Sequence, residues 1–170
     1  MPQDEPTGPD LSGVLADANA AGLPCVVIGG FSVIYHGYIR ATKDSDLLVG
    51  DGADADAAIL RFLARADARR LRDGKTLDEQ DVAHAEHLRV CSRHGIVDLL
   101  RGGIPPLDFE TVAASALDVE IDGQPARVAA LQSLVGFKRL ANRPQDRLDL
   151  SELEAIYGSL PIESIPGLDS

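Results

Sequence analysis

Two carboxylates, Asp44 and Asp46, head an apolar run, Leu47-Leu48-Val49, while a glycine pair, Gly29-Gly30, ends an earlier one, Cys25-Val26-Val27-Ile28. Residues i and i+2 of a strand project from the same face, so the two acids can grip the same cation. Gly29-Gly30-Phe31-Ser32 opens into a short helical segment. Bare backbone N–H groups at the positive end of a helix dipole suit a phosphate. Metal carboxylates beside a phosphate cradle point to chemistry on a nucleotide.

Moving a nucleotidyl group requires a held triphosphate, divalent metal and an activated hydroxyl. Two metals about 3.5–4 Å apart supply the charge stabilisation and the activation together. Mg²⁺ takes hard oxygen ligands, so a third carboxylate is expected from a neighbouring strand. Asp98, inside the apolar run Gly95-Ile96-Val97-Asp98-Leu99-Leu100, is the candidate. An acid buried in such a run is costly unless paired or metal-bound. Lys138 falls on the stripe of Leu131, Leu134 and Val135, where an apolar residue is expected. There a lysine must snorkel or face a cleft, and as a compact cation it suits a triphosphate or pyrophosphate. Asp146 and Asp149 flank the Leu150/Leu153 stripe and are placed to contact base, ribose or Lys138. Arg40, just before the paired acids, serves phosphate or neutralises them.

The elements that must position these groups can be read from periodicity. Asp10 caps a helix carrying Leu11, Val14, Leu15 and Ala18, which ends at Gly22. A buried strand runs from Pro24 to Gly29, a short helix from Phe31 to Tyr38 and a second strand from Ser45 to Val49. An amphipathic helix is expected from about Asp54 to Arg72, with Arg61, Arg65, Arg69 and Arg72 along its polar face. That stripe reads as a solvated face, with an RNA groove as the sharper alternative. Glu86–Ser92 and Gly95–Arg101 form a hairpin about Arg93-His94-Gly95, and Val119–Val128 a second about Asp122-Gly123. Two helices follow, Leu131–Asn142 and Pro144–Tyr157, with Pro144 in the first turn. The order predicts an α+β fold, a mixed sheet flanked by helices with C-terminal helices. The divisions are a disordered N-terminus 1–9, a core 10–129, a helical part 130–160 and a tail 161–170.

The chain has 170 residues, 45% of them apolar, 4% aromatic and none Trp, so aliphatic side chains must fill the core. A net charge of −11 disfavours broad contact with nucleic acid or anionic membrane. Cys25 and Cys91 are expected to be buried reduced thiols, and His36, His84, His87 and His94 show no ligand spacing and read as structural or surface groups. No leader or membrane-length apolar run is visible, which makes the cytoplasm the expected location.

The run Gly29-Gly30-Phe31-Ser32 to Asp44-Ser45-Asp46, with Asp98 later, resembles the polymerase-beta-like nucleotidyltransferase superfamily. Tyr35-His36-Gly37-Tyr38-Ile39-Arg40-Ala41-Thr42, Val97-Asp98-Leu99-Leu100 and residues 134–150 are similar to the small bacterial AbiEii-type nucleotidyltransferases. The resemblance implies a nucleotidyltransferase-like core and an enzyme using Mg²⁺ or Mn²⁺ and a nucleoside triphosphate. Asp44 and Asp46 would coordinate both metals, and Asp98 would hold the catalytic one and help activate the hydroxyl. Gly29, Gly30 and Ser32 would bind the triphosphate, with Lys138 and an Asp following it in the active site. The implied acceptors are a tRNA end, as for a toxin, or a partner protein, as for an antitoxin. Transfer to a small molecule is an alternative enzyme reading, and a catalytically inactive binding or antitoxin module is the alternative of a different class. Ser45, between the acids, stands where the pattern has an apolar residue.

Overall fold

The computed structural model describes residues 8–169; most of the segment expected to be a disordered N-terminus, residues 1–7, lies outside them. The first helix, α1 (Leu11–Ala20), is capped by the Asp10 carboxylate, which accepts from the Gly13 N–H at 3.1 Å. It buries Leu11, Val14, Leu15 and Ala18. Then come β1 (Cys25–Ile28), α2 (Gly29–Tyr35), β2 (Asp44–Val49) and α3 (Ala53–Arg65). A two-residue strand β3 (Arg69–Arg70) and a short α4 (Glu79–Ala83) lead into the hairpin of β4 (His87–Ser92) and β5 (Gly95–Arg101). The chain continues through α5 (Phe109–Ser115), the hairpin of β6 (Leu117–Ile121) and β7 (Gln124–Val128), then α6 (Leu131–Ala141) and α7 (Pro144–Tyr157).

All seven strands join one mixed sheet in the order β3-β4-β5-β2-β1-β7-β6. β2 lies at its centre, antiparallel to β1 and parallel to β5. The expected α+β architecture is therefore the observed one. Side chains alternate along each strand, and the two faces differ in what covers them. Leu47 and Val49 of β2, with Val97 and Leu99 of β5, face α1 and α3 in the larger core, around the fully buried Phe62 and Ile59. Leu48, with Val26 and Ile28, faces a small cluster with Val112 and Ala129. The C-terminal helices are tied to α2 by Val33, Leu134 and Leu153. The last segment is docked too: Ile165 is buried, and Arg139 pairs with Asp169.

Two expectations change. The helix expected to reach Arg72 stops at Arg65, because Asp67 takes a left-handed conformation (φ 48°) and turns the chain into β3. Aspartate is one of the few residues that visits this region readily, so no glycine or proline marks the end. The expected four-arginine stripe is thus broken: Arg61, which donates to the Ala21 carbonyl, and Arg65, which approaches Asp17 at 3.7 Å, stay on α3, while Arg69 lies in the sheet and Arg72 follows it. The cysteines also differ from expectation, Cys91 being exposed and Cys25 half-buried. Among the described residues, no helix is long and apolar enough to cross a membrane.

Candidate active site

The face of β2 that carries Leu48 continues, one and two steps earlier along the pleat, as Asp46 and Asp44. Asp46 pairs in register with Asp98 of β5, so the three carboxylates share one face of two adjacent strands. One oxygen from each lies within 4.8 Å of the others. The small apolar cluster ends before it reaches them, which leaves the acids facing a cavity of about 840 Å³.

The glycine pair sits where Ile28 of β1 meets Asp46. Gly29 has φ +66°, and a β-carbon there would overlap the Asp46 carboxylate. A β-carbon on Gly30 would overlap the Thr42 hydroxyl. Both residues must therefore be glycine for β2 to bring its acid against the first turn of α2. Both line the cavity, as do Arg40 and Lys43. Ser32 does not: it is buried, and its hydroxyl finds no hydrogen-bond partner among the described residues.

Three carboxylates this close repel one another. Burial, then the charges of Asp98 and Asp44, push the Asp46 carboxyl up to about 7, against some relief from Lys138. Asp44 is likewise raised, by burial first and by Asp98 second. Anionic groups held above their usual range beside open space fit a bound divalent cation, whose hard oxygen ligands these would be.

Two residues outside the sequence motif, Arg89 and His87, belong to the site. Arg89 lies opposite Asp98 across the β4–β5 pair. Its Nη1 donates to Asp44 Oδ2 at 2.9 Å and to Asp98 Oδ2 at 2.7 Å. His87, two residues earlier on the same face, places Nε2 2.8 Å from Asp98 Oδ1. His87 is thus a site residue, unlike the other histidines: His36 bonds the Ala129 carbonyl, His84 that of Gln80, and His94 the Asp17 carboxylate. The signal was present in the sequence, since counting outward from the Arg93-His94 turn sets Arg89 against Asp98.

Across the cavity, α6 presents Phe137 and Lys138, and α7 begins with Pro144, Gln145 and Asp146. Lys138 is buried and faces the cleft, as its place on an apolar stripe predicts. Its ammonium is engaged by Asp146 Oδ1 at 2.9 Å and Asp149 Oδ2 at 2.8 Å. Two of its three N–H donors are spent on these carboxylates. Arg40 clamps Asp149 with two bonds of 2.8 Å, and Arg143 binds Asp146 at 2.7 Å. The burial of Asp146 is outweighed by Arg143 and Lys138, which hold its carboxyl down at about 2. Arg40 and Lys138 are therefore tied into a structural network that borders the cavity.

This architecture is similar to that of solved nucleotidyltransferase structures. The crystal structure of ANT(2″)-Ia in complex with adenylyl-2″-tobramycin is similar with a TM-score of 0.56 at 13% identity, over 86% of each chain. The solution structure of that antibiotic-resistance factor gives 0.57 at 16% identity, over 86% of this chain and 83% of the other. An antigenic nucleotidyltransferase-like protein from Paracoccidioides brasiliensis gives 0.56 at 15% identity, over 92% of this chain and 76% of that one. No protein-family model matches the sequence, and no curated protein matches it. At these identities the likeness is one of fold.

Proposed function

We propose that this chain is a metal-dependent nucleotidyltransferase that moves a nucleoside monophosphate from a nucleoside triphosphate to a hydroxyl. The observation that carries the reading is the convergence of Asp44, Asp46 and Asp98 within 4.8 Å, facing a cavity lined by Gly29 and Gly30. The three acids would hold Mg²⁺ or Mn²⁺, which when bound lowers the pKa of an attacking hydroxyl and spreads charge on the leaving group. Gly29 and Gly30 would let the triphosphate approach the backbone without a side chain intervening. Asp98, one oxygen held by His87, would take the proton of the acceptor hydroxyl. The acceptor oxygen then bonds the α-phosphorus as its bond to the β-phosphate breaks, and pyrophosphate leaves. Lys138, anchored by Asp146 and Asp149, offers its third N–H and its charge to the phosphates.

The acceptor we favour is a small hydroxylated molecule. RNA binding draws much of its affinity from phosphate neutralisation, whereas this chain carries −11. Of its four-arginine run only Arg61 and Arg65 lie on α3, where Arg61 bonds the Ala21 carbonyl and Arg65 approaches Asp17. The likeness to ANT(2″)-Ia, whose crystal holds an adenylylated antibiotic, supports the same choice. A tRNA end or a partner protein, including one in a toxin–antitoxin pair, is the competing acceptor implied by the AbiEii resemblance.

One observation favours a second reading. Arg89 bonds both Asp44 and Asp98, which suits a catalytically inactive module whose acids have been given a permanent counter-ion. Incubation with Mg²⁺ and each α-labelled triphosphate separates the two, run against hydroxylated small molecules, total tRNA and the protein itself. Labelled acceptor with pyrophosphate release, abolished in Asp46→Asn, supports the enzyme. No transfer to any acceptor, with no Mg²⁺-dependent nucleotide binding, supports the inactive module.

A further inference from the structure

We infer that Arg89 is an exchangeable counter-ion: it neutralises Asp44 and Asp98 in the empty site, gives way to the divalent cation, and then binds the triphosphate. The inference rests on the functional reading above and assigns a role to a residue that the motif does not include.

The geometry is specific. A single guanidinium nitrogen, Nη1, bridges Asp44 Oδ2 and Asp98 Oδ2, at 2.9 and 2.7 Å. A cation shared by Asp44 and Asp98 would compete for these same oxygens, and Mg²⁺ lies only about 2.0–2.1 Å from its ligands. Arg89 and a cation drawing on the same two carboxylates therefore oppose each other. Arg89 is also built to leave. Its side chain is 45% exposed, while that of Asp98 is 9% exposed, so the acid is fixed and the arginine has solvent on its outer side. Asp98 keeps a partner when Arg89 departs, because His87 holds the other oxygen, Oδ1, at 2.8 Å.

Where Arg89 goes follows from charge and reach. It already lines the cavity that holds the glycine pair. Once released, its planar fork is suited to bidentate contact with phosphate oxygens. Lys138, Arg40 and Arg143 are each held by Asp146 or Asp149. Arg89 alone among these four cations changes partner when metal arrives. The same arginine that lowers affinity for free metal therefore raises affinity for the metal–triphosphate pair, and this opposition is the signature to test.

The experiment uses the full chain and the variants Arg89→Met and Arg89→Lys. Binding of Mn²⁺ alone is read by electron paramagnetic resonance, and binding of a non-hydrolysable triphosphate at saturating Mn²⁺ by calorimetry. Hydrogen bonds to charged groups carry enough free energy for at least a tenfold change each. Arg89→Met should bind Mn²⁺ about tenfold more tightly and the triphosphate about tenfold more weakly, with Arg89→Lys intermediate in both. Unchanged or weakened Mn²⁺ affinity in a folded Arg89→Met overturns the exchange, as does undiminished triphosphate affinity. Absence of Mn²⁺ binding by both wild type and Arg89→Met overturns the functional reading itself, and the exchange with it. Arg89→Lys supplies the same readouts should Arg89→Met fail to fold.

Discussion

Replacing Asp46 by asparagine should make the metal-free protein more stable, an unusual result for a residue at the centre of a site. The folded state holds this carboxyl at about 7, against an ordinary value of 3.8, because burial and the charges of Asp98 and Asp44 penalise its ionised form. A raised carboxylate pKa means that the folded state binds a proton the unfolded chain has already released. Stability then falls as pH rises from about 4 to about 7 and is level above that. At about 1.36 kcal/mol per pH unit, the span from 3.8 to 7 amounts to about 4 kcal/mol at pH 8. The neutral amide of Asp46→Asn removes this penalty. For a chain of this length the gain corresponds to a rise of roughly 10 °C in Tm. The assay is thermal unfolding by circular dichroism at pH 4, 6 and 8 in chelator, repeated with Mg²⁺. The variant's advantage should be small at pH 4 and full at pH 8. Mg²⁺ should stabilise wild type, by about 2.7 kcal/mol at a hundredfold excess over its Kd, and leave the variant unmoved. An Asp46→Asn protein no more stable than wild type at pH 8, or equally favoured at pH 4 and pH 8, refutes the reasoning.

Other perturbations test the frame around the triad. Gly29→Ala forces a residue with a β-carbon to φ +66° and drives that carbon into the Asp46 carboxylate. It should cost at least about 1–2 kcal/mol by urea unfolding and abolish Mn²⁺ binding. Lys138→Met leaves Asp146 and Asp149 buried with one cation fewer. A loss of about 3–5 kcal/mol is expected, measured by the urea midpoint, with Lys138→Arg milder. The Asp146 carboxyl, held at about 2, contributes stability above its ordinary value of 3.8 that is lost as pH falls through about 2. This is about 2 kcal/mol, and it should vanish from the acid limb of the stability curve in Asp146→Asn.

The parts of the site that lie within one short segment were legible from the sequence. Asp44 and Asp46 share a strand, and the glycine pair ends its neighbour, so alternation alone set their facing. Asp98 was legible because an acid in an apolar run needs a partner. What depends on pairing between segments was harder to read. Arg89 joins the site only through the β4–β5 register, and His87 only through Asp98. Lys138 was expected at the cleft and is found there, but its ties to Asp149 and, through it, to Arg40 reach across 109 residues of sequence. The resemblance implies a phosphate contact for Ser32; the helix turns it into the interior instead. The end of α3 has a local cause that periodicity does not reveal, the left-handed Asp67, and it takes Arg69 and Arg72 off the helix that carries Arg61 and Arg65.

The charges around the cavity divide into two systems that are balanced differently. Asp146 and Asp149 face Lys138, Arg40 and Arg143, two acids against three cations, all in direct contact. Both carboxyls are held below their ordinary range, Asp149 chiefly because Arg40 and Lys138 outweigh its burial. Asp44, Asp46 and Asp98 have Arg89 and His87 in hydrogen-bond contact, with some relief of Asp46 from Lys138, and the Asp44 and Asp46 carboxyls are still driven up. One side of the cavity is therefore saturated with positive charge and stable as built, while the other lacks it. A divalent cation added to this cleft gains most at the second system. On the proposed function, a triphosphate would be drawn to the same place, between that cation and Arg40, Lys138 and Arg143, which together exceed their two acids by one. Charge balance would therefore order the binding events on that function, metal with the triad first and phosphate, met by the released Arg89, second.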